Sequence, residues 1–136
     1  MTGRLILVAS LLSLSAFAYE ANLNIDWKFE KIGSDLYGLD AALKAGAKDG
    51  RQVFDLDYDE SGMERVSVPH CVNAHDTYDN RACDRGEAAF WRGWMLYRKT
   101  FRVPEGKHFF IEFETVRQAL YVYVNGRFAG FYERNE

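Results

Sequence analysis

The chain has 136 residues, with 17 basic and 20 acidic side chains and 48% hydrophobic content. The net charge of −3 gives no basic face, which argues against a nucleic-acid partner. The length fits one domain, the apolar fraction supports a packed core, and the chain shows no internal repeat, low-complexity tract or coiled-coil heptad.

Met1 to Arg4 form a short basic start. Leu5 to Phe17 form an apolar run of 13 residues, broken only by serines. Ala16-Phe17-Ala18 follows the small-x-small pattern of a cleavage site, and Tyr19-Glu20 turn polar. These parts in this order predict a secretory signal peptide over residues 1–18. A bilayer-spanning helix needs roughly 20 apolar residues, so the run is too short for an anchor. No later stretch is apolar enough to span. The expected mature chain, residues 19–136, is exported to the periplasm or the extracellular space. It carries 16 basic and 20 acidic side chains, a net of −4.

Asn24 to Ile32 reads as a first short strand, because Ile25, Trp27 and Phe29 alternate with Asp26, Lys28 and Glu30. Gly33 to Asp57 carries a weaker signal and reads as mostly loop. Leu39 to Lys48 allows one or two helical turns, limited by Gly46 and Gly50. The acidic stretch Asp55 to Gly62 reads as a solvated turn. Glu64 to Val68 is a short strand stopped by Pro69. Cys71 to Trp91 is polar, dotted with aromatics and without period, and a long irregular stretch inside a compact domain is usually functional or disordered.

The remainder alternates strongly. Met95, Tyr97, Phe101 and Val103 share one strand face, and Arg98, Thr100 and Arg102 the other. Pro104-Glu105-Gly106 turns the chain. Phe109, Ile111 and Phe113 then alternate with His108, Glu112 and Glu114. Ala119 to Val124 is apolar on both faces and is expected to be covered on both. Asn125-Gly126 is a two-residue hairpin turn, since a type I′ turn needs positive φ at both central residues. That register sets Val124 opposite Arg127 and Tyr123 opposite Phe128. Successive antiparallel strands predict an all-β sandwich or barrel. About five strands precede Glu136 and the last lacks a partner, which predicts a C-terminally incomplete domain.

Four blocks resemble the start of glycoside hydrolase family 2 proteins, the family of β-galactosidases, β-glucuronidases and β-mannosidases. They are Asp26-Trp27-Lys28-Phe29; Val66-Ser67-Val68-Pro69-His70 with Asn73-Ala74-His75-Asp76; Phe90-Trp91-Arg92-Gly93-Trp94 leading to Leu96 through Phe101; and Ala119 to Gly130. Met63 stands near a usual Trp, and Cys71-Val72 replaces a polar-residue-then-Trp pair. The resemblance implies the family's N-terminal sugar-binding domain, an antiparallel jelly-roll-like β-sandwich of the galactose-binding-domain type. It also implies a parent enzyme whose central domain and (β/α)₈ barrel, with both catalytic glutamates, lie outside this chain. A retaining glycosidase needs two carboxyl groups about 5 Å apart, and no motif here matches that pair. No catalytic residue, cofactor or metal is therefore expected, and the expected partner is a carbohydrate, a β-glycoside. A second reading is a stand-alone exported carbohydrate-binding module without catalysis, and a third is a β-domain that binds a protein.

The candidate substrate contacts are Arg92, Asp76, Asn73 and Trp91. Arg92 offers a fixed fork of donors suited to hydroxyl or carboxylate oxygens. Trp91, at the end of the long loop, is a better surface for a sugar ring than Trp94 or Tyr97, and Tyr97 belongs to the core by period. The competing role for Asn73, Asp76 and Arg92 is loop fastening. His70, Cys71, His75 and Cys83 lack the paired spacing of a zinc site. Cys71 and Cys83 either form a disulfide, as an exported chain allows, or remain thiols with Cys71 buried.

Overall fold

The computed structural model describes residues 20–34, 38–74, 91–103, 105 and 108–133. The expected signal peptide, Asp76 and Cys83 lie outside these residues. The described chain is mostly strand with one short helix, and every strand pairing is antiparallel.

Strand β1 runs Trp27–Ser34, and Asp26 enters it at positive φ. Helix α1 spans Leu39–Gly46. It has no side-chain N-cap, but Asp40 in its first turn and Lys44 in its last suit the helix dipole. Its buried side is Ala42 and Gly46, the small residues that let it lie close to β1. Strand β2 is Glu64–Val66, and a cis Val68–Pro69 bond follows it. Strand β3 is Gly93–Arg98, β4 is Ala119–Val124 and β5 is Arg127–Glu133.

One sheet has the order β2-β1-β3. Phe29 faces Glu64 on one side and Tyr97 on the other. The β1–β3 register skips between Ile32 and Ser34, which leaves Gly33 as a bulge at φ 65°. The second sheet is the β4–β5 hairpin. Its Asn125-Gly126 turn has φ of 50° and 77°, and its register pairs Val124 with Arg127 and Tyr123 with Phe128, as the type I′ argument requires. Its own irregularity lies between Val122 and Tyr123.

Residues 28, 30, 32 and 94, 96, 98 alternate onto the sheet face that meets α1 and the 47–63 segment. Ile32, Ala42, Val53, Tyr58 and Met63 form the buried core there, with Leu43, Phe54, Trp94 and Leu96 packed around it. The hairpin leans on this layer through aromatic pairs. Tyr123 stacks on Phe54 at 4.7 Å and 12°, and Tyr121 lies 5.7 Å from Trp94. Such pairs contribute roughly 0.5–1.5 kcal/mol beyond their buried area.

Three expectations need correction. Helix α1 is a regular two-turn element, because Asp40 to Ala45 is an Ala/Leu/Lys run of good helix formers. The alternating residues 100–103 and 108–114 belong to no strand among the described residues. Strand β4 is half-buried rather than covered on both faces.

Candidate functional site

The opposite face of the three-stranded sheet carries Trp27, Phe29 and Lys31 from β1, with Met95 and Tyr97 from β3. The segment after the cis bond folds over it. His70 Nδ1 is 3.0 Å from the Tyr97 hydroxyl, and the His70 ring meets Phe29 edge-on at 4.6 Å. Phe29 is buried beneath them, and burial pushes the Tyr97 hydroxyl above the ordinary tyrosine pKa. His70 is thus committed to packing, in keeping with a structural role after Pro69. Trp27 continues the aromatic row, its indole N–H donating to the Leu23 carbonyl at 2.5 Å.

Beside this row lies an open depression of about 380 Å³, lined by Phe29, Lys31, Glu64, His70, Cys71 and Val72 among others. Phe29 and the His70 ring give it aromatic surface, and Lys31, Arg65 and Glu64 bring two cations and one carboxylate. That combination suits a ligand with an apolar face and polar substituents, such as a sugar ring.

Two of the candidate contacts, Asn73 and Trp91, come together, and Asp76 lies outside the described residues. Asn73 Nδ2 donates to the Trp91 carbonyl oxygen at 3.3 Å, so the two ends of the long Cys71-to-Trp91 stretch meet. Lys31 Nζ lies 5.4 Å from the centroid of the Trp91 ring. Trp91 is half-buried, with its Cζ2 edge close to Gly93, whereas Arg92 is exposed. Asn73 therefore fastens the loop, and Arg92 and part of Trp91 remain presented to solvent. Cys71 is exposed, not buried. Tyr97 is packed between Phe29, His70 and Trp27, and Trp94 covers the core on the other face.

The acidic stretch does fastening work. Asp55 accepts the Gln52 backbone N–H at 2.8 Å, Asp57 pairs with Arg51 at 2.8 Å, and Glu60 pairs with Arg98 at 2.7 Å. Asp59 accepts the Ser61 N–H at 2.9 Å, which holds its carboxyl below the ordinary range. Among the described residues no group of three or more His, Cys, Asp or Glu is placed to hold a metal ion, and no helix is long and apolar enough to cross a membrane.

The chain is similar to two curated glycosidases. It is 38% identical to a protein named β-glucuronidase from Formosa agariphila over 110 residues, 77% of this chain and 10% of that protein. It is 35% identical to a protein named β-galactosidase from Thermoanaerobacter pseudethanolicus over 112 residues, 80% of this chain and 12% of that protein. The chain spans about a tenth of the length of the curated relatives it matches. No protein-family profile and no solved structure matches it. Over about four-fifths of its length the chain is thus related to proteins named as glycosidases, and its described residues are β-rich.

Two residues important to this edge escaped the sequence. Lys31 is not singled out by the sequence, although the alternation of β1 places it on the face of Trp27 and Phe29. Gly93, which shapes the approach of Trp91, gave no signal beyond being a glycine next to a tryptophan.

Proposed function

We propose that this chain is the N-terminal sugar-binding part of an exported glycoside hydrolase family 2 enzyme, built as the first portion of a jelly-roll-like sandwich. The observation that carries the reading is similarity to two named glycosidases over about four-fifths of the chain. The depression lined by Phe29, Lys31, Glu64, Arg65 and His70, and the hydrogen bond that joins Asn73 to Trp91, support it. In this reading the parent hydrolyses O-glycosyl bonds of a β-glycoside with two carboxyl groups held in a barrel domain outside this chain, and this domain helps shape the sugar site.

Arg92→Ala in a parent enzyme tests it. A lost charge-assisted hydrogen bond costs about 1.5–3 kcal/mol, roughly ten-fold or more in kcat/KM. The expected result is weakened turnover of β-glucuronide or β-galactoside substrates with an unchanged melting curve. Unchanged kinetics with a lowered melting temperature would assign Arg92 to structure instead.

A further inference from the structure

Asn125-Gly126 is the one Asn-Gly pair in the chain, and it forms the tip of the β4–β5 hairpin. Every other asparagine precedes a residue with a side chain. At Asn125 a side-chain amide is followed by a backbone nitrogen that no Cβ shields. That nitrogen can attack Cγ of Asn125. A bond forms between the Gly126 nitrogen and Cγ, the amide C–N bond breaks, and ammonia leaves with the proton from the Gly126 nitrogen. The product is a five-membered succinimide. Water then opens the ring at either carbonyl, leaving aspartate or isoaspartate.

The folded turn holds the reacting atoms apart. Asn125 and Gly126 have φ of 50° and 77°, the two positive values of a type I′ turn. Such a turn sets ψ of its first central residue at about +30°. At that angle the Gly126 nitrogen lies almost anti to the Asn125 Cβ across the Cα–C bond. Ring closure needs the two nearly eclipsed, and rotating ψ that far breaks the pairing of Val124 with Arg127. The hairpin is also held from outside. Tyr123 stacks on Phe54, and a Cβ added at Gly126 would lie 3.6 Å from the Phe54 carbonyl oxygen. Asn125 is exposed, so water reaches it. The similar Asp49-Gly50 pair, with φ of 46° and 77°, carries a carboxylate and has no amide to lose.

We infer that Asn125 is a self-modification site gated by the hairpin: the succinimide forms when β4 and β5 part at the turn and is suppressed while the turn is closed. The reaction then makes the opening permanent. Aspartate fits the same turn, since Asp-Gly is itself a type I′ pair. Isoaspartate routes the main chain through the side-chain carbon and lengthens it by one atom. A two-residue turn then no longer closes at Val124 and Arg127, and the Tyr123–Phe54 stack loses its support. The inference goes beyond the proposed sugar-binding role and does not depend on it.

Ageing the full chain at mildly alkaline pH tests it, in buffer and in urea sufficient to unfold it. Peptide mass spectrometry follows the loss of the Asn125 amide, and an isoaspartyl methyltransferase assay counts isoaspartate. The reactive population is the open fraction, so the chain in buffer is expected to react at least about ten-fold more slowly than in urea. Tyr123→Ala removes the stack on Phe54 and is expected to raise the rate in buffer about three-fold or more, with the rate in urea unchanged. Phe54→Leu, from the other side of the stack, should act alike, and circular dichroism checks that both variants stay folded. Asn125→Asp should melt like the native chain, whereas the purified isoaspartate form should melt lower. Equal rates in buffer and urea would overturn the inference, as would folded Tyr123→Ala and Phe54→Leu chains that react no faster than the native one. An isoaspartate form that melts like the native chain would overturn the claimed loss of the turn.

Discussion

Gly93→Ala is the most severe single-methyl change available in this sheet. Gly93 begins β3 at φ 155°, opposite Ser34 and beside the Gly33 bulge. A Cβ there falls well inside contact of the Gly33 carbonyl oxygen and 2.9 Å from Trp91 Cζ2. An ordinary C···O approach is about 3.3 Å. Reaching it requires β1 and β3 to part by roughly 1 Å at their first pair, and the obstacle is backbone, which cannot rotate away. Overpacking of this kind costs about 1–3 kcal/mol, and a left-handed backbone in an L-residue about 1–2 more. The expected loss is therefore about 2–5 kcal/mol out of the roughly 5–15 that a domain possesses. With roughly 4 °C or more per kcal/mol for a domain of this size, the melting temperature should fall by at least about 8 °C. Urea unfolding followed by tryptophan fluorescence reads the loss directly, because Trp91 and Trp94 flank the site. Gly62→Ala is the control: Gly62 is exposed, with nothing within 4 Å of an added Cβ, and its change should stay within about 0.5 kcal/mol. A Gly93→Ala chain as stable as that control would refute the claimed backbone approach.

Arg98→Met should also destabilise. The guanidinium donates to Glu60 Oε1 at 2.7 Å, to the Asp55 carbonyl at 3.0 Å and to the Val53 carbonyl, and it lies over the Tyr58 ring. Losing these while stranding the acceptors should cost about 2–4 kcal/mol in urea unfolding, and a loss under about 0.5 would contradict the fastening role. At alkaline pH the Tyr58–Lys48–Glu30 group sets the trend. Burial raises the Tyr58 hydroxyl above its ordinary pKa, and the hydrogen bond to Glu30 at 2.7 Å raises Lys48. The folded chain thus keeps protons that the unfolded chain loses first. Stability from these groups is intact below about pH 10 and declines as pH rises toward the folded values. Tyr58→Phe should flatten that decline, and an unchanged slope would show that Tyr58 does not carry it.

The sequence spoke clearly where local geometry decides structure. Asn125-Gly126 admits one tight turn, so both the turn and the pairs around it were legible. The alternation of Ile25, Trp27 and Phe29 with Asp26, Lys28 and Glu30 likewise marked β1. The core was less legible, because Val53, Tyr58 and Met63 lie in an irregular segment with no period. Their burial depends on where α1 and β3 arrive, and Arg98 and Tyr58 then anchor the acidic turn that looked merely solvated. Period alone misled at 108–114, since alternation states a capacity to pair and not that a neighbour is present. At the candidate site, the residue types on the long loop pointed to Trp91 and Asn73. Their mutual hydrogen bond, which separates the fastener from the presented residue, is a long-range contact that no spacing encodes.

The reach of Arg98 has a consequence for the order of assembly. Its partners lie 38, 43 and 45 residues earlier in the chain. During synthesis, the 53–60 segment emerges long before its clasp. Until β3 follows, the Val53 and Asp55 carbonyls face only water, and Ile32, Val53 and Met63 lack the cover of Trp94 and Leu96. The β4–β5 hairpin, by contrast, closes across two residues as soon as it appears. The chain therefore combines a fast, local element with a slow, distant one whose loop-closure cost must be met first. A half-made chain consequently leaves apolar side chains and carbonyl groups uncovered until Arg98 arrives.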